Sequence, residues 1–100
     1  MAILPIRYRL AAVEELDAAV AWYSELSTQV ANELRRMVRS KLAEARRYPG
    51  HWPRQPDGTR HIRIPPFPYL LVVRESAGNL ELLAFAHTSR EPGYWRERLE

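Results

Sequence analysis

The chain has no cysteine among its 100 residues, so it can form neither a disulfide framework nor a thiolate metal site. Its three histidines, at 51, 61 and 87, are too scattered for a metal cage, and no metal or cofactor is expected. Glycine is scarce, at four residues. No Gly-rich phosphate loop, nucleophile elbow or paired-carboxylate helix motif occurs, which sets aside the common hydrolase chemistries. No apolar run approaches the roughly 18 residues that mark a membrane span. At the amino end MAILPI is interrupted by Arg7, leaving no signal-peptide apolar core and no cleavage site, so cytoplasmic residence is the expectation. A chain this short has room for one modest core, and residues 1–100 are read as a single domain.

What the sequence does contain is unevenly placed charge. The net charge is only +3, but residues 1–34 hold two arginines against five acids and residues 35–63 hold nine basic residues against two acidic ones. The cationic middle third favours an anionic partner, whether phosphate, an acidic peptide or an acidic protein surface. It serves equally well as a solvated helix face.

Periodicity organises the rest. Residues 4–10, LPIRYRL, read as a strand. From Ala12, Val13, Leu16, Val20 and Tyr23 recur every three or four residues beside Ala19 and Leu26, forming one apolar stripe. Glu14, Glu15 and Asp17 are placed in the first turn of that helix, where they suit its dipole. Ser27 or Thr28 caps a second helix whose stripe is Val30, Leu34, Val38, Leu42 and Ala45, with Met37 at its edge. This helix should stop near Tyr48, before Pro49 and Gly50.

A Pro- and Gly-rich loop then leads to three β-rich runs at 60–64, 68–75 and 79–87, with a hairpin turn at SAGN. A short terminal helix opens on Pro92. The expected class is α+β: an N-terminal strand, then an antiparallel helical hairpin packed on one face of a mainly antiparallel four-stranded sheet, then the terminal helix.

Candidate functional residues follow from this layout. At 100° per residue, Arg35, Arg39 and Arg46 fall within about 40° of one another along one flank of the second helix. Arg35 and Arg39 repel by a few tenths of a kcal/mol unless an anion lies between them. Strict alternation puts Leu80, Leu82, Ala84 and Ala86 on one face of the last strand and Glu81, Leu83, Phe85 and His87 on the other. Both faces are largely apolar. Since the helices cover only one, Leu83 and Phe85 call for a second cover, from the terminal segment, another chain or both. His87 is the best acid–base candidate, although a lone histidine is more often structural. Trp22, Tyr23 and Phe67 are assigned to the core; Trp52, in the basic loop, is left open.

The runs ELDAAVAWYSEL, ARRYPG, RHIRIPPFPYLLVV and LELLAFAHTSREPGYWRER resemble, in order and spacing, the RelE/ParE toxin superfamily of toxin–antitoxin modules over about residues 7–98. The most specific part is the ending, with His87, Arg90, Pro92, Tyr94, Trp95 and Arg98, which is similar to ParE-like members. The resemblance implies the architecture already read from periodicity. It also implies a growth-inhibiting toxin, of a kind tied to plasmid stabilization, bound by a cognate antitoxin in a possible hetero-oligomer. The antitoxin's tail would cover Leu83 and Phe85.

On the ParE-like reading the target is DNA gyrase and the action is non-enzymatic. On the RelE-like alternative the chain cuts mRNA on the ribosome, with His61, Arg63, His87 and Arg90 as acid–base and phosphate-stabilising groups. A third reading is a non-toxic relative that only binds the antitoxin. Candidate target- or antitoxin-binding residues are Arg35, Arg39, Arg46, Arg60, Arg63, Leu83, Phe85, Arg90, Tyr94 and Trp95.

Overall fold

The computed structural model describes residues 3–99. In order they form strand β1 (Ile6–Tyr8), helix α1 (Leu10–Leu26), helix α2 (Thr28–Arg47), a 3-10 turn (Pro49–His51), strands β2 (Arg60–Ile64), β3 (Phe67–Ser76) and β4 (Asn79–His87), and a terminal 3-10 helix (Tyr94–Leu99). The sheet order is β1-β4-β3-β2. β2, β3 and β4 are antiparallel, and β1 pairs parallel with β4, placing Ile6 opposite Leu80 and Tyr8 opposite Leu82. The class is the α+β arrangement expected. No helix among the described residues is long and apolar enough to cross a membrane.

The helical hairpin turns at Ser27, whose extended backbone (φ −166°, ψ 120°) ends α1 and whose Oγ accepts a 3.3 Å hydrogen bond from the Val30 N–H to cap α2. α2 stops at Arg47, as Pro49 requires. Its stripe buries Ala31, Leu34, Val38, Leu42 and Ala45 against Ile62, Ile64, Leu71, Val73, Leu80, Leu82 and Phe85 of the sheet, with Ala12, Ala19 and Val20 of α1 completing the core. Val30, expected in the stripe, is exposed, and Ala31 takes that role.

Several boundaries differ from expectation. α1 begins at Leu10, inside the run read as strand, because β1 pairs for only three residues. Glu14, Glu15 and Asp17 therefore lie past the first turn, and Glu15 has a different role. The terminal helix is 3-10 and starts at Tyr94, after a turn in which Gly93 takes φ +83°, rather than at Pro92.

The consequential difference is in β4. Leu71 faces Phe85 and Val72 faces Ala84, but Val73 faces Leu82, so Leu83 is an extra residue, a β-bulge. One inserted residue reverses which face each later side chain occupies. Leu80, Leu82 and Phe85 consequently point toward the helices, while Leu83, Ala84 and Ala86 join Val72 on the other face beneath Trp95. That second face is covered by the chain's own terminal 3-10 helix, with Tyr94 and Leu99 flanking the buried Trp95. Leu83 and Phe85 are 0% and 2% exposed, so neither offers a surface to an antitoxin, contrary to the sequence-based expectation.

Candidate functional site

β1 ends at Tyr8, yet β4 continues to His87 and needs partners for its outward backbone groups. Two side chains supply them. Arg98 Nη1 donates to the Leu83 carbonyl at 2.9 Å, and the Phe85 N–H donates to Glu15 Oε1 at 3.0 Å. The same Glu15 carboxylate takes Arg98 through both terminal nitrogens, at 3.0 and 3.1 Å, Tyr94 Oη at 2.7 Å and Arg90 Nη1 at 3.3 Å. Burial works against its charge, but the hydrogen bonds from Arg98, Tyr94 and the Phe85 N–H outweigh it and hold the carboxyl below its ordinary 4.5. Burial and the Glu15 bond together push the Tyr94 phenol up to about 12. Glu15 thus ties α1, the open edge of β4 and the terminal segment together.

A second carboxylate secures the other end of that segment. Asp57 accepts from the Thr59 N–H (3.0 Å), Thr59 Oγ1 (2.6 Å) and Trp95 Nε1 (3.2 Å), with Arg96 Nε 3.6 Å away. Since Thr59 gives its hydroxyl proton to Asp57, it accepts from His61 Nε2 at 3.1 Å, which puts the His61 proton on Nε2. The His61 ring lies edge-on to Trp95, with centroids 5.1 Å apart. Burial, reinforced by Arg96 and only partly opposed by Asp57, keeps its pKa below the ordinary 6.5. His61 is therefore a structural group beneath the terminal segment, where burial disfavours its charged form.

The structure separates the nuclease candidates. His61 lies on the sheet face covered by Trp95, whereas His87 lies on the helix-facing side, edge-on to Tyr69 at 5.1 Å, in a cleft that α1 borders. Arg63 is exposed on β2, and Arg90 stacks 3.7 Å from the Tyr94 ring centroid while paired to Glu15. The four residues do not converge on a point where one phosphodiester could meet an acid, a base and a stabilising cation. Arg60 is 13% exposed in its side chain and bonds the Trp52 carbonyl (2.6 Å) and Glu75 (3.0 Å), so it braces the loop instead of facing a partner. Tyr94 and Trp95 are structural as well.

The arginine flank of α2 does assemble. Arg35, Arg39 and Arg46 line one groove of about 450 Å³ between α2, α1 and the open edge of β1, with Ile6, Leu16, Val20, Val38 and Leu42 as an apolar floor. Tyr8 and Asp17 complete it. Arg46 is partly committed, its Nε donating to the Leu4 carbonyl at 2.7 Å. Arg35 and Arg39 make no ion pair among the described residues, unlike Arg36, which pairs with Glu33. The result is a groove with an apolar base and a cationic wall, suited to an amphipathic acidic segment.

A second depression, about 540 Å³, opens on the opposite flank of α1 and is walled by Trp22, Tyr23, Pro68, Tyr69, Phe85 and His87, with Glu15 and Arg90 at its end. Trp22 was expected in the core but is 59% exposed. Sequence reasoning also missed the roles of Glu15 and Asp57. The signal available for Glu15 was an acid on a helix otherwise reading as an apolar stripe, facing a tail with three arginines.

No family model matches the chain, and no curated protein matches it. Among solved structures, a chain of the chromosomal ParDE TA system from P. aeruginosa is similar, with a TM-score of 0.72 over 87% of this chain and 98% of that one, at 14% sequence identity. The two chains share a fold, the one that the sequence resemblance implied.

Proposed function

We propose that this chain is the toxin of a type II toxin–antitoxin module in the cytoplasm, neutralised by a cognate antitoxin and acting by binding rather than by cleavage, with DNA gyrase as its target. The observation that carries the reading is the fold shared with a ParDE chain along nearly its whole length, joined to the ParE-like ending of the sequence. The groove of Arg35, Arg39 and Arg46 supports a partner whose tail is acidic and amphipathic. The placement of His61 and His87 on opposite faces of the sheet favours the non-enzymatic mode over the ribosome-dependent nuclease.

Induced expression tests the reading. The chain alone should arrest growth, and co-expression of the adjacent small reading frame should restore it and yield a stable complex on purification. Unimpeded growth with soluble, folded protein would reduce the chain to the non-toxic, antitoxin-binding relative. Failure to bind the neighbour's product as well would remove the module altogether.

A further inference from the structure

The cleft on the second flank of α1 has no part in the function proposed above. Its walls are aromatic. Trp22 meets Tyr23 edge-on at 4.9 Å, and Tyr69 stacks at 4.4 Å on Phe85, which is itself 2% exposed. Aromatic rings pair by offset stacking or edge to face, so a cleft lined by Trp22, Tyr23 and Tyr69 suits an entering ring. Trp22 at 59% exposure leaves much of an indole in water at the mouth, surface whose burial on binding is favourable.

The polar end of the cleft is equally defined. His87 Nδ1 accepts from the Ser89 N–H at 3.0 Å and from Ser89 Oγ at 2.7 Å. A backbone N–H can only donate, so the neutral ring carries its proton on Nε2, which has no partner among the described residues. Beside it, Glu15 is already matched by the two-pronged contact of Arg98. Arg90, with 53% of its side chain exposed, therefore brings a surplus positive charge to the trio. Among the described residues lining the cleft, Arg90 is the one cation.

We propose that this cleft docks an aromatic side chain of a partner protein that carries a carboxylate next to it in sequence, the ring entering among Trp22, Tyr23 and Tyr69 and the carboxylate meeting Arg90. A single surplus positive charge matches a monoanionic carboxylate. A nucleotide phosphate, approaching two charges and lacking a second cation or a Gly-rich nest here, would be left undercompensated beside Glu15. The inference does not depend on the toxin reading, and its test needs no antitoxin and no target.

The test is a titration of the isotope-labelled full chain, followed by NMR at the Trp22 indole N–H and the His87 and Tyr69 rings. The probes are acetyl-Trp-Glu-amide, acetyl-Trp-Gln-amide and adenosine monophosphate. The Glu peptide should shift these signals saturably, with an affinity on the order of 1 mM for so small a ligand, and should bind roughly threefold to tenfold tighter than the Gln peptide, as expected of one partly exposed charge-assisted bond. Arg90→Gln should erase the difference between the two peptides. Trp22→Ala, at a largely exposed position that leaves folding intact, should weaken both at least about fivefold, with Trp22→Phe restoring part of the loss. Equal binding of the two peptides, absence of saturation, tighter binding of adenosine monophosphate, or concentration-dependent shifts without any probe that reveal a second copy in the cleft would each overturn the proposal.

Discussion

Glu15→Gln is the substitution that most directly loads the joint between helix, sheet edge and terminal segment. The side chains of Glu15 and Arg98 are 16% and 17% exposed, and the carboxylate accepts from Arg98, Tyr94, Arg90 and the Phe85 N–H. An amide of the same shape can still accept one or two of these bonds, but its NH2 must face a guanidinium and the charge is gone. Breaking a fully buried pair by removing one partner costs about 3–5 kcal/mol; the residual water access here lowers that to roughly 2–3 kcal/mol, comparable to one or two hydrogen bonds to charged groups. For a domain of this size each kcal/mol moves the melting temperature by roughly 4–8 °C, so a fall of about 10–20 °C is expected. The measurement is thermal unfolding at pH 7 by circular dichroism, with hydrogen exchange of the Trp95 indole N–H reporting whether the terminal segment loosens first. Glu14→Gln, at the exposed preceding position, is the control. A drop no larger than the control's, or unchanged protection of Trp95, would refute the role given to Glu15.

Three further outcomes are expected. Stability should fall with acid in two stages: below about pH 6.5 the unfolded chain takes up a proton that half-buried His61 resists, and below about pH 4.5 it takes up those that Glu15 and then Asp57 resist. In melts across pH 4 to 8, His61→Asn should remove only the upper stage, and its persistence would show that another group is responsible. Gly93→Ala forces a side chain into φ +83° with its Cβ about 2.6 Å from the Arg96 guanidinium carbon, so urea unfolding should show a loss of roughly 1–2 kcal/mol; no loss would mean that the terminal turn relaxes freely. Reversing charge with Arg35→Glu and Arg39→Glu should weaken antitoxin binding at least about tenfold, with a reduced salt dependence in titration calorimetry and an unchanged melting temperature. Unaltered affinity would place the partner away from the cationic groove.

The helical hairpin and the succession of strands along the chain were legible because each rests on local signals: an apolar stripe at helical spacing, a capping serine, Pro49, and a turn at SAGN. The shared flank of Arg35, Arg39 and Arg46 was legible for the same reason, since helical geometry alone brings them together, whereas the groove beside it depends on how α1 and β1 pack. The bulge at Leu83 was not. From Leu82 to Ala86 every residue is apolar, so either phase of the alternation satisfies the pattern, and only the pairing with β3 decides which face Phe85 takes. Glu15 and Asp57 were hidden because their partners lie far along the chain: Arg98 is 83 residues from Glu15, and Trp95 is 38 from Asp57. Trp22 misled in the opposite sense, since composition favours burying an indole but does not say on which side of α1 it emerges.

The central claim is that this fold acts by binding a protein target and not by cutting RNA. It is tested most directly by a paired assay on one preparation of the chain, with ribosome-associated mRNA integrity and gyrase supercoiling with cleavage-complex accumulation followed side by side for the wild type and His87→Gln. The account predicts intact mRNA, inhibited gyrase and nearly equal potency of the two proteins, because a binding mode needs no proton shuttle at His87. Ribosome-dependent mRNA cuts that disappear in His87→Gln, with gyrase unaffected, would contradict it.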